Sequence, residues 1–203
     1  YFLALEVRPG DKTLAAVAAA LVAFNPMFVF ISASVNNDNL AVMLATLALF
    51  LMTRLITRGT TMRHFVVSGI VLGLAALSKV SNLGLLVVTA VVFLYLLWRN
   101  ESGRVGKRES GRNAPCLPLS PSLTLLVGSL LCAALVVAIA GWWYVRNWML
   151  YRDPLAFNVW VAIAGGRPNL LTLDGLLAEF QGFRISFWGN FGGVNIIAPE
   201  WVY

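Results

Sequence analysis

Charge is scarce in this chain. Only 12% of its 203 residues are Asp, Glu, Lys or Arg, about half the share of an ordinary soluble domain. Histidine occurs once, as His64, and cysteine twice, as Cys116 and Cys132. One histidine rules out a histidine-based metal centre, and His64 beside Arg63 reads as an interfacial residue. Cys132 falls in an apolar stretch and Cys116 in a polar loop, a difference of level that argues against a disulfide. Strict apolar/polar alternation is also missing, which argues against a transmembrane barrel. What fills the chain is hydrocarbon: 59% of residues are hydrophobic and the mean hydropathy is +0.79. The apolar stretches run to roughly 15–22 residues, long enough to cross a bilayer. The fold class expected is therefore all-α, a polytopic transmembrane helix bundle.

Five spans are expected, at 14–32 with a kink at Pro26, 40–52, 65–78, 83–97 and 123–143. A single helix over 65–97 would be about 50 Å long against a hydrocarbon core of about 30 Å, so a turn is expected at Lys79-Val80-Ser81-Asn82. Gly69 and Gly73 have the Gly-x-x-x-Gly spacing and Ala76 continues their face, a strip that lets the third span pack closely on a neighbour. The membrane domain is expected to cover 1–148, with a linker at 99–122. An external segment with short amphipathic helices, one around Leu173–Phe183, is expected over 149–203. The chain starts at Tyr1 without an initiator Met or signal peptide, as a fragment would.

Basic residues orient the spans. Arg8, Lys12, Arg54, Arg58, Arg63, Arg99, Arg104, Lys107, Arg108 and Arg112 all fall on one side, which the positive-inside rule makes cytoplasmic. The formal excess of +6 lies entirely on that side, so topology accounts for it and a nucleic-acid partner is not implied. Residues 54–64 and 99–122 are then cytoplasmic.

This topology brings polar residues from three segments to the opposite face. Asn36, Asn37, Asp38 and Asn39 interrupt an otherwise apolar run; Lys79, Ser81 and Asn82 form the next turn; Arg146, Asn147, Arg152 and Asp153 follow the fifth span. Each group has a structural reading: Asn-Asn-Asp caps a helix, Lys79 snorkels, and the tryptophans around Arg146 form an interfacial belt. Taken together, Lys79 and Arg146 make a clamp for a lipid-linked phosphate, one a point charge and the other a planar fork. For Asp38 three roles stay open: orienting a sugar hydroxyl, holding a cation, or pairing with one of these bases. Asp38, Asp153 and Asp174 are also the external carboxylates available to a divalent cation, though their spacing is not diagnostic.

Phe24-Asn25-Pro26-Met27-Phe28 followed by Ser34-Val35-Asn36-Asn37-Asp38-Asn39-Leu40 resembles the multi-pass glycosyltransferases of the GT-C superfamily. So do Gly73 to Lys79, Gly141 to Trp148 with Tyr151-Arg152-Asp153-Pro154, and Ser186-Phe187-Trp188-Gly189 with Pro199 to Tyr203. The resemblance is closest to an uncharacterised branch related to the protein mannosyltransferases and aminoarabinose transferases. It implies a transferase of a bacterial inner membrane, taking sugar from a polyprenyl-phosphate donor to a lipid, glycan or protein acceptor on the external face. It also implies donor-phosphate contacts at Lys79 and Arg146, with the principal catalytic carboxylate in a loop before Tyr1 and Asp38 secondary to it. Two other readings explain the same cations: a transporter or flippase of lipid-linked sugars, which a helix broken within the membrane would favour, and a non-catalytic partner in cell-envelope assembly.

Overall fold

A computed structural model describes the backbone of residues 1–107, 121–165, 172–192 and 195–203, with side chains left aside at 100–107 and 121–122. Nine α-helices are found among these residues: α1 (Phe2–Val7), α2 (Lys12–Ala23), α3 (Pro26–Ser32), α4 (Asp38–Arg58), α5 (Met62–Ser78), α6 (Gly84–Lys107), α7 (Pro121–Tyr151), α8 (Phe157–Ala164) and α9 (Leu173–Trp188). A two-residue hairpin, β1 (Asn190–Phe191) and β2 (Ile196–Ile197), pairs antiparallel with Phe191 opposite Ile196. The fold is thus an all-α bundle of membrane helices. Segments Asp38–Arg58, Val80–Arg99 and Leu123–Tyr151 are each long and apolar enough to span a bilayer.

The expected first span is broken rather than kinked. α2 and α3 meet at 66°. Asn25 causes the break: its Oδ1 accepts from the Phe28 N–H at 2.9 Å and so restarts a helix, with Pro26 in its first turn. α4 runs to Arg58 and not to residue 52, because a helix needs no apolar residue to continue. Thr53 returns its hydroxyl to the Leu49 carbonyl at 2.9 Å while the charged tips of its last turn reach polar surroundings. α6 likewise continues through Lys107, so the expected linker from 99 begins as helix; the rest of that linker, 108–120, lies outside the described residues. α7 passes Trp143 and ends at Tyr151, which makes the Trp142–Trp148 run helical. α8 and α9 are short helices within the segment expected to hold such helices, whereas α1 and the hairpin have no counterpart among the expected elements.

α5, 17 residues or about 26 Å, is the shortest unbroken membrane-level helix and has the largest buried share among the described helices. Phe65, Ser68, Gly69, Leu72, Gly73 and Ala75 are all buried. The small-residue strip works as expected, against α7. A Cβ on Gly69 would lie 2.9 Å from the Cys132 carbonyl, and one on Gly73 2.8 Å from the Ile139 Cβ. The reciprocal notch is Gly128 of α7, into which the Phe65 ring fits so closely that any side chain there would overlap it. Tyr144 adds a polar rivet, its hydroxyl donating to the Ala76 carbonyl at 2.7 Å.

Two polar ends result. At one, Glu6 accepts from Thr57 Oγ1 and Arg58 Nε, both at 2.7 Å, and Arg99 donates to the Ile56 carbonyl at 3.0 Å. The Arg58 and Thr57 hydrogen bonds hold the Glu6 carboxyl below its ordinary pKa. At the other end lie Asp38 and Lys79.

Candidate functional site

The amides of the Asn run are spent on architecture. Asn36 Oδ1 accepts from the backbone N–H groups of Asp38 (2.9 Å) and Asn39 (3.3 Å), so Asn36 caps the first turn of α4. Asn39 reaches back to the Ser34 carbonyl at 3.0 Å, which holds the end of α3. Asn37 donates to the Ser78 carbonyl at 2.9 Å and ties the loop to the end of α5. That leaves one group of the run with a charge to offer, Asp38 in the first turn of α4.

Asp38 meets Lys79. The Lys79 ammonium pairs with Asp38 Oδ1. Backbone geometry explains why the lysine is there: Lys79 leaves the helix in an extended conformation, φ −158° and ψ 136°, and a single 3-10 turn over Val80–Leu83 leads into α6. Asn82 fastens this turn by donating to the carbonyls of Ala75 (3.2 Å) and Ala41 (3.3 Å). The pair is only half-enclosed, with the lysine side chain 43% and the aspartate 31% exposed. Ion pairs so placed are worth about 0–1 kcal/mol, so this one opens cheaply.

The pair sits on the wall of a cavity of about 540 Å³. Asp38, Lys79, Ser81 and Asn82 form one part of its lining, and apolar side chains such as Val22, Phe28, Ile31 and Val42 form much of the rest. The broken span opens this space, since α3 turns away from the line of α2. The chain closes part of it again from far away in sequence: Ser186 and Phe187 of α9 line the cavity, and Asn25 Nδ2 donates to the Phe187 carbonyl at 3.3 Å. A second cavity of about 770 Å³ lies behind the same Val22, Phe28, Ile31 and Val42 and extends along α4 to Phe50.

The remaining sequence candidates lie elsewhere. Arg146 is exposed on α7, its guanidinium 5.2 Å from the centre of the Trp143 ring, and does not line the Lys79 cavity. Lys79 lines this cavity and Arg146, the other cation expected in the clamp, does not: Tyr144 bonds to α5, and a residue two places on points in another direction on a helix. Asn147 is buried and donates to the Pro154 carbonyl at 3.3 Å. Arg152 takes a left-handed conformation, φ 56°, where α7 ends. Asp153 accepts from the N–H groups of Asn158 (2.9 Å) and Leu155 (3.0 Å), bonds that lower its carboxyl pKa and organise the turn into α8. Asp174 lies in the first turn of α9. Among the described residues no three His, Cys, Asp or Glu side chains gather as a metal site.

Three contributors escaped the sequence reading of the site. Asn25 had a signal, an amide directly before proline inside an apolar run, which marks a helix restart. Ser186 and Phe187 had none, because only the return of α9 brings them to the cavity.

The fold is a bundle of apolar helices in which a half-exposed ion pair faces a mostly apolar cavity, and the family match places it with the membrane glycosyltransferases of GT-C type. Residues 2–110, more than half of the chain, match the model of the dolichyl-phosphate-mannose-protein mannosyltransferase family, and the chain belongs to that family. The match takes in Asp38 and Lys79 and ends before α7, so Arg146 and α9 lie beyond it. No curated protein and no solved structure matches the chain.

Proposed function

We propose that this chain contributes to transfer of a sugar from a polyprenyl-phosphate donor to a lipid, glycan or protein acceptor, on the face opposite its basic loops, with Lys79 meeting the donor phosphate. One observation carries the reading: a half-exposed lysine–carboxylate pair stands on the wall of a largely apolar cavity. A phosphate forms a strong charge-assisted bond with an ammonium, and the weak pair with Asp38 yields to it at little cost. Apolar walls suit an isoprenoid. In glycosyl transfer the bond from the anomeric carbon to the phosphate oxygen breaks and charge collects on the departing phosphate, where a fixed ammonium stabilises it. Asp38, released from Lys79, is then free to accept a hydrogen bond from a sugar hydroxyl. Arg146 acts on a different surface, as an interfacial anchor stacked on Trp143.

The break between α2 and α3 favours a second reading, a transporter of lipid-linked sugar, because broken helices line transport paths. Reconstituted intact protein given a polyprenyl-phosphate sugar and an acceptor extract separates the two. Release of sugar-free polyprenyl phosphate with a glycosylated product supports transfer. Movement of intact donor across the bilayer without release sinks that reading and supports transport.

A further inference from the structure

α9 differs from the three helices long and apolar enough to span a bilayer. Its 16 residues span about 24 Å, short of a hydrocarbon core of about 30 Å. Asp174, Glu179, Gln181 and Arg184 punctuate it, which makes a transmembrane placement costly. Its apolar residues nevertheless keep helical spacing. Leu173, Leu176, Leu177, Phe180, Phe183 and Phe187 fall within about a third of the helix circumference. All six are exposed, from 49% at Leu176 to 73% at Leu173. The phenyl rings stack in a ladder, with centres 6.0 Å apart for Phe180–Phe183 and 6.4 Å for Phe183–Phe187.

The helix is attached to the bundle near its C-terminal end. Asn25 holds the Phe187 carbonyl, Ser186 lines the Lys79 cavity, and just beyond the helix the Phe191 ring meets Phe30 of α3 edge-on at 5.4 Å. These partners belong to the broken span, near the end of the bundle that carries Asp38 and Lys79. The opposite arc mixes polar and small residues, Asp174, Ala178, Gln181 and Gly182, with one large apolar residue, Ile185, while Arg184, within the apolar arc, has the long stem that lets its charge reach headgroups.

We propose that α9 lies in the plane of the membrane interface, its phenylalanine ladder inserted among lipid headgroups and upper acyl chains, and so forms the lipid-side wall of the Lys79 cavity. The occupant of its exposed face is the bilayer itself. The anchor sits on the apolar α2–α3 pair, which itself exposes Leu21, Phe24 and Val29. An exposed apolar stripe on a helix too short and too charged to span fits an interfacial placement. With Asp174 and Glu179 against Arg184, the helix carries no positive excess, so insertion depends on apolar burial and not on anionic lipid.

The test uses the full chain in nanodiscs, with Cys116→Ser and Cys132→Ala as background. An environment-sensitive fluorophore is attached at Phe180→Cys or Phe183→Cys, and at Asp174→Cys or Gln181→Cys for comparison. The first two sites are expected to emit at shorter wavelength and to be quenched by lipid-borne spin labels several-fold more than by a water-soluble quencher. The reverse is expected at 174 and 181. The pattern should be the same in zwitterionic and anionic lipid. Water-soluble quenching at 180 and 183 overturns the proposal, as does protection there from both quenchers, which would mean that protein covers the stripe. A requirement for anionic lipid overturns its apolar basis. Photolabelling of the unsubstituted chain with a diazirine-bearing lipid gives the same decision without cysteine variants: label on Phe180 or Phe183 supports it, and label confined to the spans contradicts it.

Discussion

The seam between α5 and α7 and the cavity between α3, α4 and the end of α5 share one helix but are built on opposite terms. Along the seam, Gly69, Gly73 and Gly128 remove side chains so that Cys132, Ile139 and Phe65 take the space a Cβ would need. At the cavity, the break after α2 holds two elements apart and leaves about 540 Å³. The seam has no charge to offer a ligand; the cavity has one ion pair that opens cheaply. The contrast gives α5 two duties: its buried length is clamped, so that Lys79 at its end is presented from a rigid support to a space that can receive a ligand.

The contrast breaks most severely at Gly128. Replacing it with Leu drives a side chain into the Phe65 ring, and overpacking of this kind costs about 1–3 kcal/mol or more. Gly128→Leu should lower the thermal midpoint of the detergent-solubilised protein by far more than Val42→Leu on the cavity wall. Equal shifts would mean that the seam is no tighter than the cavity.

A smaller effect is expected on the cavity side. Asp38→Asn removes the carboxylate that competes for Lys79, so donor affinity should rise by up to about 5-fold, the worth of an exposed ion pair. Turnover should fall in the same variant if the freed carboxylate orients a sugar hydroxyl. Measuring KM and kcat separately resolves the two effects, and unchanged values of both would remove Asp38 from the account.

The smallest expected effect lies at the other end of the bundle, where Glu6 is bonded to Arg58 and Thr57. Its folded pKa is depressed below the ordinary value of 4.5, so its contribution is complete above that value and is lost as pH falls through the lower folded value. Glu6→Gln should be less stable than the parent at pH 7, and the gap should close under strong acid. A gap independent of pH would assign the loss to packing.

The seam was legible in the sequence because close packing of small residues is written in local spacing: Gly69, Gly73 and Ala76 lie on one face of any helix that contains them. The ends of helices were less legible. Hydropathy marks where the hydrocarbon stops, and the backbone hydrogen bonding of α6 and α7 continues past that point. Asp38 and Lys79 were readable as residues sharing one end of the bundle, since alternating spans bring them there. Whether Arg146 lines the same cavity depends on the rotation of α7, which the Tyr144–Ala76 bond and the glycine seam fix in the fold and which no local spacing records. The return of α9 to Asn25 links residues 162 apart in sequence and leaves no local trace.

Transfer from a polyprenyl-phosphate donor, measured side by side in intact Lys79→Ala and Arg146→Ala proteins, bears most directly on the central claim. Loss of a hydrogen-bonded charge at the departing phosphate should slow Lys79→Ala by about 10- to 100-fold, with partial recovery in Lys79→Arg, while Arg146→Ala stays within about 2-fold, as loss of an exposed interfacial contact would. Near-normal turnover in Lys79→Ala, or an equal loss in Arg146→Ala, would contradict the assignment of the phosphate to the Lys79 cavity.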